Sequence, residues 1–320
     1  MVDRQLSLAE SLMHPGLGLN ARVDAIAEVI DWVPLEALAA TVRRGVTGRP
    51  PYPATVMIRS LYLQMLYGLS DPGLEEALSD RLSFRRFCGL GLDDGTPDET
   101  TICRFRGDAA RAGVLEACFE AVNRQLDAKG LILRKGTLMD ATILPAASRK
   151  PDMTAGKGAR VAREPGASWV VKNGRSHFGY RLHVGTDQGS NLIRQVRLTP
   201  ANVGESPVGD ALISGDEKAV YADKGYENKV RRARLKAQGV KDRICHRSHK
   251  HQKGLPHWQT VRNKAIAKRR AMVEQVFGTG KRVFGYDRAR SVSFAINLAD
   301  AFRFATVFNL RRAIGLMAAT

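Results

Sequence analysis

The chain has 320 residues, long for one domain and comfortable for two. Its 44% hydrophobic and 26% charged residues are those of a soluble globular protein with a sizeable core, which excludes a disordered chain. The formal net charge of +18 is unevenly spread: residues 229–290 carry 19 Lys or Arg against three acids, whereas residues 1–100 carry 9 basic and 14 acidic side chains. A solvated face mixes signs, so so one-sided a block points to a polyanionic partner, most simply nucleic acid.

The N-terminus places Asp3, Arg4 and Glu10 around a short apolar run, which does not read as a signal peptide. The four cysteines (Cys88, Cys103, Cys118, Cys245) form no CxxC pair and suggest reduced thiols in a cytoplasmic protein. Residues 53–69 repeat apolar positions at helical spacing through Val56, Leu61 and Met65. Asp71-Pro72 then offers a cap and a first-turn proline, and Thr96-Pro97-Asp98-Glu99 reads as a capping box with Thr96 at its head. Short helices with tight turns suit a bundle or a helix-turn-helix variant over residues 1–130. Arg81, Arg85, Arg86, Arg104 and Arg106 could touch phosphates there, although the acidic balance favours protein contact at least as much.

From about residue 137 the pattern becomes β. GTLMDATIL, HFGYRLHVGTD and LIRQVRLTP read as successive strands. The segment at about 146–170, rich in Ala, Gly, Ser, Lys and Arg, reads as a mobile loop. A helix is expected around Glu205–Ile213, then a strand ending at Asp223, a basic helix over 229–238, a strand at DRICHR and a long basic helix from about Val261. Residues 293–317 are apolar but broken by Asp300, Arg303, Arg311 and Arg312, which predicts a packed amphipathic helix rather than a membrane span.

Three acids stand at unusual places. Asp140 interrupts the strand Leu138–Ile143, where a carboxylate is costly unless paired, solvated or metal-bound. Asp223 ends the apolar run AVYA; ordinary turn chemistry explains it taken alone. Glu274 lies deep in the basic segment, four residues after Arg270, with which it could simply pair. Arg270, Glu274 and Lys281 share one helical stripe, while Ile266, Val273 and Val276 fall toward the core side. Gly278 and Gly280 are positions where that helix could kink or end before Lys281. Two Asp from strands and one Glu from a helix would make an all-oxygen site, suited to Mg²⁺ or Mn²⁺ and not to zinc.

The order LMDATI, VYADKGY, RRAMVEQVFGTGK resembles the DDE transposases of bacterial insertion sequences, of the insertion-sequence-five type, over nearly the whole chain. GRPPYPATVMIRSLYLQMLYGLSD and PDETTICRFR are similar to that family's N-terminal helical region. SWVVKNGRSHFGYRLHVGTD, LTPANVGES and EKAVYADKGYEN are similar to its catalytic core. The family's third acid lies in a Tyr-x2-Arg-x3-Glu-x6-Lys signature. Arg270, Glu274 and Lys281 match it, and Ala267 stands at the Tyr position, a departure that bears only on the accessory contact the Tyr would make.

The resemblance implies an α/β fold: a ribonuclease-H-like mixed sheet flanked by helices over 131–320, preceded by an all-α region over 1–130 for end binding or multimerisation. It implies that Asp140, Asp223 and Glu274 hold two Mg²⁺ ions, which Mn²⁺ can replace, while Arg270, Lys281, Lys224, Arg269 and Arg282 contact DNA. The implied activity is metal-dependent 3′-end cleavage at terminal inverted repeats and strand transfer into target DNA. A homo-oligomer on DNA, in the bacterial cytoplasm at the nucleoid and without membrane, is expected. Two rivals are a hydrolytic nuclease of the same fold and a non-catalytic DNA-binding descendant. The group Cys245, His246, His249, His251 and His257 fits no standard zinc spacing and reads as a basic loop over DNA.

Overall fold

The computed structural model describes residues 17–42, 50–148, 164–248 and 254–319. The first part is helical: α1 (Ala21–Val29), α2 (Val33–Ala40), α3 (Ala54–Tyr67), α4 (Asp71–Asp80), α5 (Leu82–Cys88), α6 (Glu99–Arg111) and α7 (Val114–Ala128). Helix α3 stops where Gly68 turns left-handed (φ +65°) and returns its N–H to the Gln64 and Met65 carbonyls. Ser70, not Asp71, caps α4, accepting from Gly73 N, and Asp71-Pro72 form its first turn. The cap of α6 is Asp98, which accepts from Thr101 N, rather than Thr96. A carboxylate beside a helix N-terminus gains from the dipole, while Thr96 is engaged elsewhere: its carbonyl accepts Tyr52 Oη and its hydroxyl meets Ser79.

The second part is built on one mixed sheet: β1 (Thr137–Pro145), β2 (Ser168–Lys172), β3 (Arg175–Asp187), β4 (Ile193–Pro200), β5 (Ala219–Ala222) and β6 (Lys241–Ile244). The spatial order is β2-β3-β1-β5-β6, with β4 also paired to β3. β1 runs antiparallel to β3 and parallel to β5, and β5 is parallel to β6. This mixed sheet, flanked by helices and preceded by a helical region, is the expected ribonuclease-H-like α/β architecture. The expected loop at about 146–170 falls partly outside the described residues, and its last residues form β2. An Asn173-Gly174 turn with both residues at positive φ (52° and 72°) closes the β2–β3 hairpin, the chemistry such a two-residue turn requires. The expected helix at Glu205–Ile213 is a tighter 3₁₀ turn, Ser206–Leu212.

Helix α8 (Lys229–Ala237) follows β5, and α9 (His257–Val283) packs against β1 and β5. Gly278 and Gly280 do not end α9, which continues to Val283. Gly280 is the point where α9 meets the last helix, α10 (Phe294–Met317): a Cβ there would stand 2.8 Å from Phe304 Cε2. α10 is not amphipathic as expected but buried along most of its length, between β4 and helices α1, α3, α6 and α7. Its two buried asparagines find partners inside. Asn309 accepts from Ile193 N at 2.7 Å and donates to Asn123 Oδ1 at 2.8 Å. Among the described residues no helix is long and apolar enough to cross a membrane.

A buried ionic layer joins α10 to the first part. Arg303 is fully buried, ion-paired with Asp300 at 2.9 Å, and donates to Gln64 Oε1 at 2.7 Å. Gln64 also accepts from Arg106, whose guanidinium holds Asp71 at 2.7 Å. Arg106 is therefore internal, as is Arg85, which donates to the Leu78, Leu92 and Asp94 carbonyls. Arg81, Arg86 and Arg104 are exposed, although Arg86 pairs with Asp24 and Arg81 lies over the Phe84 ring. Removing one member of a buried pair strands the other charge. Asp300→Ala is expected to cost about 3–5 kcal/mol in chemical denaturation, and Asp300→Ala/Arg303→Met to recover most of it. A single-variant loss under about 1 kcal/mol would mean that water reaches Arg303.

Candidate active site

The register of two neighbouring parallel strands sets the first two carboxylates. β1 and β5 pair Thr137 with Val220 and Leu138 with Tyr221. Continued two residues toward the carboxyl ends, that register brings Asp140 level with Asp223 on strands about 4.8 Å apart. Asp140 is still inside β1 and half-buried. Asp223 is the first residue past β5, where its carboxylate caps the Lys224–Tyr226 turn by accepting Lys224 N at 2.7 Å. The turn chemistry and the placement of a carboxylate at the sheet edge are thus compatible: one oxygen serves the turn.

The third acid arrives on α9. Arg270 reaches down to β1, its guanidinium 3.0 Å from Asp140 Oδ1 and its Nε 3.4 Å from the Met139 carbonyl. Glu274 stands one turn further along the same stripe with its side chain exposed, and Lys281 donates to Thr142 Oγ1 at 3.2 Å. Val273, Val276 and Ile266 on the other side are buried, which fixes the helix's rotation. Burial pushes the Asp140 carboxyl above its ordinary range; Arg270 and the Ala141 N–H oppose this, while Asp223 and Glu274 push it further up. Asp140 therefore lies in the negative field of both other acids.

Among the described residues no three or more His, Cys, Asp or Glu side chains are grouped closely enough to hold a metal ion. Carboxylates brought to one edge repel unless a cation lies among them, and here the Arg270 guanidinium is the counter-charge on Asp140. The donor set nevertheless fits a hard divalent cation: it is all carboxylate oxygen, partly open to solvent, and already holds a cationic group at its most buried member. Of the other expected contacts, Lys224, Arg269 and Arg282 are exposed, and Arg282 folds back to the Gly278 carbonyl at 3.4 Å.

The basic segment is only in part a free surface. Arg231 is buried and donates to Asp210 and to the Tyr226 and Ser206 carbonyls. Arg232 pairs with Glu227 and Asp242, and Arg262 donates to the Ile244 and Asp242 carbonyls. Lys264, Lys268, Arg269, Lys281 and Arg282 on α9 remain exposed. Of the Cys/His group, Cys245 is buried, His246 meets the exposed Trp258 ring edge-on at 5.4 Å, and His249 and His251 lie outside the described residues.

Sequence reasoning misses the Arg181–Glu205 pair behind the site. His183 is buried beneath it, near Thr199 (3.1 Å) and Tyr226 (3.4 Å), and burial together with Arg181 pulls its pKa down to about 3, so it is a neutral structural group. Arg181 and Glu205 form an ion pair at 3.3 Å. A Glu at the start of a short helix gives no sign of this, because helix starts favour acids anyway.

Losing Arg270 leaves a half-buried carboxylate without its charged partner, a penalty of about 1–3 kcal/mol. Arg270→Gln is expected to lower stability in chelator by that amount, and excess Mn²⁺ to return part of it by taking the guanidinium's place. Equal losses with and without Mn²⁺ would show that the pair and a cation do not compete.

Two family models match the chain. Residues 15–108 match a transposase domain (DUF772), and residues 133–310 match the transposase DDE domain. No solved structure matches the chain. The second match spans more than half of the sequence and contains the strands and the helix that carry Asp140, Asp223 and Glu274. Proteins of this kind act on DNA and generally use divalent metal ions. The chain belongs to the DDE transposases of insertion-sequence type.

Proposed function

We propose that the protein cuts the 3′ ends of an insertion sequence at its terminal inverted repeats and joins the freed ends to target DNA. The observation that carries this reading is the parallel register of β1 and β5, which, continued past the end of β5, sets Asp223 level with Asp140, with α9 bringing Glu274 into the same field. In this reading Asp140, Asp223 and Glu274 hold two Mg²⁺ ions, for which Mn²⁺ can substitute. When bound, such ions activate the attacking oxygen and offset charge on the leaving one. In the first step a water oxygen attacks the phosphorus at the element's 3′ end; the P–O3′ bond breaks, leaving a 3′-OH on the element and a 5′-phosphate on the flank. The water's proton leaves to solvent and the 3′ oxygen takes one up. In the second step that 3′-OH attacks a target phosphodiester, forming one P–O3′ bond and displacing the target's own O3′.

The protein's part is positional and electrostatic. Arg270 guards Asp140 until the site is loaded; then it and Lys281 are placed to steady the scissile or terminal phosphates. Lys224, Arg269 and Arg282 extend the positive surface along the backbone of the DNA. The helical part at 1–130 serves end recognition, multimerisation or both, and pairing of two ends calls for a homo-oligomer on DNA in the cytoplasm.

Asp140→Asn, Asp223→Asn and Glu274→Gln are each expected to lower end cleavage by about 10³-fold or more, with end binding changed by less than about threefold and steeply weakened by salt. Retained turnover in one variant removes that residue from the ligand set. With pre-cleaved ends, joined product is expected; hydrolysis without joining would identify a nuclease, and binding without Mg²⁺-dependent cleavage a DNA-binding descendant.

A further inference from the structure

Glu205 reaches the same sheet edge from the other side. In the β1–β3 ladder Ile143 faces Arg181 and Ala141 faces His183, whereas Asp140 faces Val184. Residues directly opposite share a face and successive residues alternate. Arg181 therefore lies on the face away from Asp140 and α9. Its guanidinium, anchored to the Ala201 carbonyl at 3.1 Å, holds Glu205 at 3.3 Å. The Glu205 carboxylate is half-buried and lines a small cavity of about 190 Å³ with Ala141, Thr142, Ile143 and Lys172.

Two observations set Glu205 apart from an ordinary ion-pair partner. The first is steric. Its Oε2 rests against Gly225, two residues beyond Asp223, so closely that a Cβ at 225 would stand 2.0 Å from it. The turn that carries Asp223 leaves this space only because residue 225 has no side chain. The second is electrostatic. Burial raises the Glu205 carboxyl, Arg181 lowers it, and Asp140 and Asp223 both raise it. A group that served only Arg181 gains nothing by standing in the field of two further carboxylates, where each like charge adds repulsion. A cation shared among them turns that repulsion into attraction.

We propose that Glu205 is a fourth carboxylate of the cation site, approaching Asp140 and Asp223 from the sheet face opposite Glu274, with Arg181 as its counter-ion until a divalent cation binds. This rests on the reading of Asp140, Asp223 and Glu274 as metal ligands. The site then has a guanidinium–carboxylate pair on each face of the sheet, Arg270–Asp140 and Arg181–Glu205, and cation loading competes with both.

The test is Mn²⁺ affinity of the full chain without DNA, from the electron paramagnetic resonance signal of free Mn²⁺, with circular dichroism melts confirming that each variant folds. Glu205→Gln is expected to weaken binding about tenfold or more. Gly225→Ala, which keeps the Glu205 charge but fills its place, is expected to do the same. Arg181→Gln is expected to hold or tighten binding, and Arg181→Gln/Glu205→Gln to remain weak. If Asp140→Asn loses Mn²⁺ while Glu205→Gln binds as wild type, Glu205 is no ligand and the three-acid reading stands. Recovery of wild-type affinity in the double variant would likewise reduce Glu205 to a partner of Arg181. Wild-type affinity in Asp140→Asn overturns the three-acid reading itself.

Discussion

Like charges gathered at one edge of a sheet have to be held there against their own repulsion, and the architecture around Asp140 is arranged to meet that demand. The parallel register of β1 and β5 delivers Asp140 and Asp223 to the same level. α9 then sets a guanidinium on the more buried of the two and carries Glu274 one turn further on. Removing the guanidinium without supplying another cation strands a carboxylate, which, on the proposed function, leaves the site poised between an internal arginine and a divalent ion.

That poise needs a stiff support. α9 crosses α10 at Gly280, where the absence of a side chain lets the helices approach within reach of Phe304. α10 is packed on all sides by β4 and by helices of the first part, and its buried Asp300–Arg303 pair ties into Gln64, Arg106 and Asp71. One hydrophobic cluster joins the two parts, from Val23 to Ala313, while a second, with Met139, Val220, Tyr226 and Leu235, fills the other face of the sheet.

Much of the site was legible because a carboxylate inside an apolar strand, such as Asp140, is costly and demands a reason. The same holds for a lone Glu in a basic helix whose stripe also carries Arg270 and Lys281. The Arg181–Glu205 pair was not legible: an acid opening a helix is unremarkable locally, and the packing of Glu205 against Gly225 is made across a turn. The basic block overstated the free surface, since Arg231, Arg232 and Arg262 satisfy internal acids and carbonyls. Asn173-Gly174 carried a hairpin signal that the loop-like composition before it obscured. The polar residues of α10 suggested a wet face, whereas Asn309 and Arg303 spend their hydrogen bonds inside.

The most direct measurement is anomalous diffraction from Mn²⁺ bound to the protein on its end DNA. The account predicts anomalous peaks in contact with Asp140, Asp223 and Glu274, with the Arg270 guanidinium withdrawn from Asp140. Crystals with Mn²⁺ in excess that show Arg270 still paired to Asp140 and no peak among the three acids would contradict it.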